Sequence, residues 1–141
     1  MCIRDSDNMG IYVAGEVVKL MVQKRIHVKG ARILMLGLTF KENCPDLRNS
    51  KVVDVVRELE KYGAKVDVWD PWVDADEAEH EYGIRPIKAP RKGAYDTIVA
   101  GVSHQQFRDL GVKAIRAFAK PSHVLYDIKY VFKRSEVDGR L

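Results

Sequence analysis

The stretch between residues 31 and 69 has the pattern of a strand, a loop, a helix and a second strand, and it constrains the fold more than any other part of the chain. Residues 31–38 are nearly all apolar, as expected of a strand buried on both faces of a parallel sheet. Residues 64–69 alternate between apolar and polar side chains, which is typical of a second strand. Between them, Asn49 or Ser50 can cap a helix that ends at Gly63. The residues of this helix that are predicted to face the sheet are Val52, Val53, Val56 and Leu59.

Strand and helix patterns alternate through the rest of the chain as well. The further predicted elements are an acidic surface helix at 73–82, a weak edge strand at 84–87, a buried strand at 95–103, one or two short helices at 105–119 broken at Gly111, and a last strand at 122–128. Residues 129–141 are mostly polar and predict a tail of lower order. This alternation predicts an α/β fold with a doubly wound, Rossmann-like and mainly parallel sheet.

A helix is predicted ahead of the sheet, from Asp7 or Asn8 to about Arg25. Residues 1–6 show neither periodicity nor a cap and are not part of the predicted fold. One face of the helix is too apolar to face water, so it packs either on its own sheet or against another part of a larger assembly, and the sequence leaves both open. The residues of that face are Met9, Val13, Val17, Leu20 and Met21.

Composition excludes several classes of protein. With 141 residues, of which 46% are hydrophobic and 31% charged, the chain can form a globular domain. It has no apolar run near the roughly 20 residues that span a bilayer and no apolar core of a secretion signal, so we expect a cytoplasmic protein without a membrane partner. The net charge is +4, but the basic residues are spread along the chain among 20 acidic ones, so a nucleic-acid partner is not expected. Cys2 and Cys44 form no C-x-x-C pair and the histidines do not cluster, so no metal site is predicted.

The segment from Gly37 to Ser50, with the sequence GLTFKENCPDLRNS, carries most of the chemistry. It follows the first predicted strand, at the carboxyl edge of the sheet where open α/β folds bind ligands. Lys41 offers a compact positive charge and Arg48 a planar fork, and both suit phosphate oxygens. A phosphate-bearing ligand is therefore predicted, against the alternative of two solvated charges paired with Asp46 or Glu42.

Five positions of this segment, Gly37, Phe40, Lys41, Asp46 and Arg48, resemble a known signature. It is the G-x-x-F-K-x-x-x-x-D-x-R motif that opens the C-terminal domain of the UDP-glucose/GDP-mannose dehydrogenase family. The string FKENCPDLRN is most similar to the UDP-N-acetylglucosamine 6-dehydrogenase branch, which makes activated uronic acids for surface polysaccharides. The resemblance extends over nearly the whole chain.

The resemblance implies roles for individual residues and segments. Phe40, Lys41 and Lys129 are expected to contact the UDP-sugar, while Arg48 is expected to reach NAD that is held mainly by another domain. Residues 7–29 would be the end of the inter-domain helix that supports a homodimer, and 30–141 the C-terminal UDP-binding domain.

The resemblance also implies a reaction, in which two NAD-dependent steps oxidise a UDP-N-acetylhexosamine or UDP-glucose to the uronic acid through a cysteine thioester. The family's catalytic cysteine lies in a G-x-C-x-P motif that does not surround Cys44, and the dinucleotide fingerprint G-x-G-x-x-G is not found after the first strand. We therefore expect no catalytic residue in this chain and no turnover by the chain alone. The sequence does not specify the sugar.

Two further residues and one further class of function remain as alternatives. Asp70 ends the second predicted strand, where dinucleotide folds place an acid that binds ribose, but it is interpreted as a turn residue before Pro71. His104 is predicted to cap the next helix, with a role in the cleft as the alternative. The alternative function is a stand-alone flavodoxin-like or receiver-like module without catalysis. A receiver needs an acidic pair after the first strand, where this chain has Leu38, Thr39 and Phe40.

Overall fold

The computed structural model describes residues 9–38, 52–102, 104–128 and 131–140, and their strands form one parallel sheet. The strands are β1 (Arg32–Leu36), β2 (Lys65–Trp69), β3 (Tyr95–Ala100), β4 (Ala119–Asp127) and β5 (Gly139–Arg140). Their order is β2-β1-β3-β4-β5, and each neighbouring pair is parallel. This is the flavodoxin-like order of doubly wound folds, so the predicted fold class is confirmed.

Four α-helices cover the sheet within the described residues: α1 (Met9–Gln23), α2 (Val52–Lys61), α3 (Ala75–Tyr82) and α4 (Gln105–Arg116). The predicted break in α4 is confirmed, because Gly111 has non-helical backbone angles of φ 81° and ψ 160°. No helix in this part of the chain is long and apolar enough to cross a membrane.

The alternation of side chains along each strand divides the core into two layers. On β1, Ile33 and Met35 face the layer that contains α1 and α2, whereas Leu34 and Leu36 face the layer that contains α4. Both layers are buried, which explains why the sequence of this strand is apolar throughout.

The predicted apolar face of α1 packs on α2 and β4, so this face is satisfied within the domain. Val13, Val17 and Met21 are fully buried there. The opposite side of the helix exposes three large apolar side chains, Ile11, Tyr12 and Val22, each with more than half of its surface accessible.

The predicted edge strand at 84–87 was wrong. These residues adopt no regular structure, and the link to the sheet is a hydrogen bond from the Ile87 N–H to the Val68 carbonyl, at 2.8 Å. One backbone hydrogen bond does not make a ladder, so the segment lies beside β2 without extending the sheet.

The prediction of a tail of lower order was also wrong for its described part, 131–140. Val131 and Phe132 are buried in the layer of α4, and β5 pairs with the end of β4. The composition of the tail is mostly polar, but two adjacent apolar residues suffice to anchor it to the core.

Candidate functional site

The carboxyl ends of β1 and β3 form the topological switch point of the sheet, since β2 lies on one side of β1 and β3 on the other. The chain after β1 leads to α2 in one layer, and the chain after β3 leads to α4 in the other. A crevice opens where neighbouring connections leave in opposite directions, and ligands of such folds bind there.

Backbone contacts hold the two connections close together at this point. The N–H groups of Gly101 and Val102 both donate to the Leu36 carbonyl, at 2.9 and 3.1 Å. Gly37 has a φ of +97°, and a Cβ on it would lie 2.5 Å from the Cβ of Val102. Only glycine satisfies both conditions, so the first glycine of the sequence signature is explained by steric fit.

The predicted ligand-contacting residues lie outside the described residues. Phe40, Lys41 and Arg48 belong to 39–51, and Lys129 belongs to 129–130. The predictions for these four residues therefore stay predictions, as do those for Asp46 and Cys44, which also lie in 39–51. The structure does describe the residues that flank both segments, and they lie at the carboxyl edge.

Asp70 joins three connections at that edge. Its side chain is fully buried, and one carboxylate oxygen accepts hydrogen bonds from the Leu38 N–H at 2.6 Å and from His104 Nε2 at 2.9 Å. The other oxygen accepts the Trp72 N–H at 2.7 Å. Leu38, Trp72 and His104 follow β1, β2 and β3 respectively, so one carboxylate links the ends of three strands.

The charge state of Asp70 follows from its partners. Burial by itself would raise the pKa of the carboxyl group, but the hydrogen bonds from His104, Leu38 and Trp72, with the attraction to the imidazole, hold the pKa below its ordinary value. Asp70 is therefore ionised at neutral pH. An ionised carboxylate only accepts hydrogen bonds, which matches the donors among the described residues.

An aromatic group lies beside this carboxylate. Trp72 is partly exposed, its indole Nε1–H donates to Gln106 Oε1 at 2.9 Å, and its ring centre lies 6.3 Å from that of His104. Phe107 lies 5.5 Å from the rings of both His104 and Trp69. The rings pack around His104 and shield the Asp70–His104 pair from water.

A second buried carboxylate lies at the end of β4. Asp127 is fully buried and accepts the N–H groups of Val131 and Phe132, at 3.1 and 2.9 Å. Ile128 donates its N–H to the Ala100 carbonyl at 2.9 Å. Both residues that flank 129–130 are thus fixed to the carboxyl edge.

Comparison with known proteins identifies the family. A profile of the UDP binding domain of the UDP-glucose/GDP-mannose dehydrogenase family matches residues 34–134. The chain belongs to this family. The resemblance seen in the loop signature is thereby confirmed.

Named relatives of this family member include two bacterial enzymes. The chain is 56% identical over 138 residues to a UDP-N-acetyl-D-glucosamine 6-dehydrogenase of Pseudomonas aeruginosa, covering 98% of the chain and 33% of the relative. It is 52% identical to the enzyme of the same name from Salmonella typhi, covering 98% of the chain and 32% of the relative. The chain thus spans about a third of the length of these relatives.

Solved structures agree with the fold of this family member. A UDP-D-ManNAc dehydrogenase from Pyrococcus horikoshii superimposes with a TM-score of 0.76 at 22% identity, covering 95% of this chain and 30% of that one. An NDP-N-acetyl-D-galactosaminuronic acid dehydrogenase from Methanosarcina mazei Go1 superimposes with a TM-score of 0.79 at 24% identity, covering 92% and 27%. At these identities the likeness establishes the fold alone.

The roles that the sequence predicted for Asp70 and His104 were only partly right. Asp70 does bond the Trp72 N–H as a turn residue would, and His104 does occupy the N-cap of α4. However, His104 makes no capping bond with its side chain, which contacts Asp70 instead. Asp127 and Trp72 were missed entirely. The available signal for Asp70, His104 and Asp127 was an ionisable residue at or next to the end of a predicted strand.

A hollow of about 610 Å³ at the opposite, amino edge of the sheet is a competing location. Cationic residues line it, including Lys24 and Lys120. However, Lys24 already bonds Asp138 at 3.1 Å and Lys120 bonds Asp96 at 3.1 Å. These two lysines are paired within the domain, although Arg25 and Lys29 also line the hollow. Because ligands of open α/β sheets bind at the other edge, the carboxyl edge is the candidate location.

Within the described ranges, no group of three or more His, Cys, Asp or Glu side chains could hold a metal ion.

Proposed function

We propose that this chain is the UDP-binding part of a nucleotide-sugar 6-dehydrogenase and that it binds the uridine diphosphate of the UDP-sugar at the carboxyl edge of its sheet. The observation that carries the proposal is the position of Gly37 and Leu38, the first two residues of the signature segment, at the topological switch point, together with the family match over 34–134. The N-terminus of α2 follows the segment, and helix N-termini favour phosphate groups.

In the proposed reaction, the complete enzyme oxidises the primary alcohol of the sugar to a carboxylate in two steps, each of which transfers a hydride to NAD. Phe40, Lys41 and Lys129 would contact the UDP-sugar and Arg48 would reach NAD. UDP-N-acetylglucosamine is the first substrate to test, since two relatives at 56% and 52% identity carry its name.

The described residues do not fit a main NAD site. A dinucleotide fold uses an exposed acid at the end of its second strand to bind the ribose hydroxyls. Asp70 occupies that position, but its side chain is fully buried and its oxygens accept hydrogen bonds from Leu38, Trp72 and His104. This geometry supports the proposal that another domain holds most of the cofactor.

The proposal extends to assembly and location. The exposed side of α1, with Ile11, Tyr12 and Val22, offers an apolar surface for a second copy of the enzyme, in keeping with the homodimer that the family resemblance implies. A cytoplasmic location is also part of the proposal, in keeping with the expectation from the sequence.

A titration of UDP into the 141-residue chain, followed by amide NMR, tests the proposal. We expect shifts at Gly37, Leu38 and Trp72 on the carboxyl edge, and none at Gly30 or Lys120 on the amino edge. Shifts confined to the amino edge, or none at all with UDP in the millimolar range, would overturn the proposed site.

A kinetic assay tests whether catalysis requires the rest of the enzyme. The chain alone, mixed with UDP-N-acetylglucosamine and NAD, should form no NADH, because it contains neither the thiol motif nor the dinucleotide fingerprint. Turnover by the chain alone would mean that the catalytic residues lie within it.

A further inference from the structure

We propose that Asp70 and Asp127 are positioning residues for the UDP-sugar, each fixing the root of one segment that carries a predicted ligand contact. The inference rests on the proposed function. It assigns a role to two carboxylates that do not themselves contact the ligand.

Asp70 fixes the root of the first segment. Leu38 is the last described residue before 39–51, and its N–H donates to Asp70 at 2.6 Å. The same carboxylate is held from two further directions by the Trp72 N–H and by His104. Leu38 is therefore tied both to the end of β2 and to the start of α4, only two residues before Phe40.

Asp127 fixes the root of the second segment. Its two oxygens separately accept the N–H groups of Val131 and Phe132, which immediately follow 129–130. The carboxylate thus ties the residues that follow 129–130 to the end of β4. Both it and Asp70 are buried at the same edge of the sheet.

Carboxylates are suited to this task for a physical reason. A buried backbone N–H needs an acceptor, and hydrogen bonds to a charged acceptor are shorter and stronger than those to a neutral one. Two oxygens on one side chain can hold two or three donors together. An asparagine offers one oxygen and replaces the other with a donor, so Asp→Asn removes part of the anchor with almost no change in shape.

Asp138 supplies a matched control. It also accepts a backbone N–H, that of Leu125 at 2.7 Å, and it also has side-chain partners in Lys24 and Arg116. However, its partners Leu125, Lys24 and Arg116 flank neither 39–51 nor 129–130. Asp138→Asn should therefore lower stability without altering ligand binding.

The experiment compares UDP affinity across Asp70→Asn, Asp127→Asn and Asp138→Asn in the full chain, by NMR titration well below the melting temperature of the least stable variant. We expect the first two to weaken UDP binding by about tenfold, since small displacements of binding groups have large effects. Asp138→Asn should bind UDP as the wild type does, even if its melting temperature falls as much as those of the other two variants.

A second pair of variants separates positioning from general stability. In His104→Gln the side-chain amide can still donate to Asp70, whereas the leucine side chain of His104→Leu has no donor. We expect His104→Gln to recover most of the UDP affinity that His104→Leu loses.

The outcomes distinguish this inference from the proposed function. Wild-type affinity in both Asp70→Asn and Asp127→Asn would overturn the inference alone. An equal loss in Asp138→Asn, in proportion to melting temperature, would overturn it too, because the effect would then be global. No binding of UDP by the wild type would overturn the proposed function and this inference with it.

Discussion

The two edges of the sheet use their charged residues differently. At the carboxyl edge, Asp70 and Asp127 are fully buried and bind backbone N–H groups. At the amino edge, charges form ion pairs between partly exposed side chains, such as Lys24 with Asp138 and Lys120 with Asp96. The Asp138 and Asp96 carboxylates also accept backbone N–H groups, from Leu125 and Arg32. The two edges therefore differ in how deeply their carboxylates are buried and in the exposure of their ion pairs, not in whether charge contacts the backbone.

Two glycines provide the strongest test of this comparison. Gly37→Ala should destabilise the chain by about 3 kcal/mol or more, because the new Cβ meets Val102 and the backbone has a positive φ. Gly30→Ala, at the amino edge, also has a positive φ but no atom within 4 Å of the added Cβ, and should lose about 1 kcal/mol. Urea unfolding measures both. Equal losses would mean that the carboxyl edge is no tighter than the amino edge.

Asp70→Asn should lower the free energy of unfolding by about 2 kcal/mol at pH 7, because it breaks part of a buried, charged hydrogen-bond network. The pKa of Asp70 is lower in the folded chain than its ordinary value of 3.8. The ionised group therefore stabilises the fold above the unfolded pKa, and this stability is lost as the pH falls through the folded pKa.

The difference in unfolding free energy between wild type and Asp70→Asn should consequently be largest near neutral pH and shrink below about pH 4. Denaturant titrations at several pH values measure it. A difference that does not change with pH would show that the carboxylate is not ionised in the fold.

One substitution in the middle of the sheet is expected to raise the stability of the fold instead of lowering it. The Thr97 hydroxyl on β3 is buried and finds no hydrogen-bond partner among the described residues. Thr97→Val removes that group at nearly constant shape, so we expect a gain of about 1 kcal/mol. Thermal unfolding measures the gain, and a loss of stability would indicate that the hydroxyl is satisfied.

The smallest effect is expected for an ion pair of the amino edge. Lys120 and Asp96 lie 3.1 Å apart, but the lysine side chain is 45% exposed. Lys120→Met should change the unfolding free energy by less than about 0.5 kcal/mol, because solvent and salt screen such pairs. A loss as large as that of Asp70→Asn would remove the distinction between the two edges.

Periodicity in the sequence predicted the elements that lie in the core. The apolar run of β1 and the helical spacing of Val53, Val56 and Leu59 depend on burial alone, and all were found as expected. Residues 84–87 and 131–140 were predicted wrongly, because their structure depends on a few contacts with distant residues and not on a repeating pattern.

The candidate site likewise contains residues that the sequence predicted and residues that it did not. The signature around Gly37 is local in sequence, so it identified the family directly. The network of Asp70 joins residues 32 and 34 positions away, Leu38 and His104, and no pattern in a single sequence states that these residues meet. Burial of an ionised group is a tertiary property, and it was found only when the three connections were seen together.

The anchoring of Leu38 by Asp70 has a consequence for protein engineering. Both flanks of 39–51 are secured by contacts outside it, Leu38 by a carboxylate on another connection and Val52, the first residue of α2, by its burial in the core. A segment of equal length from another member of the family can therefore be transplanted between these flanks without redesign of the sheet. If the proposed function holds, an exchange of this kind should change nucleotide selectivity and leave the sheet as it is.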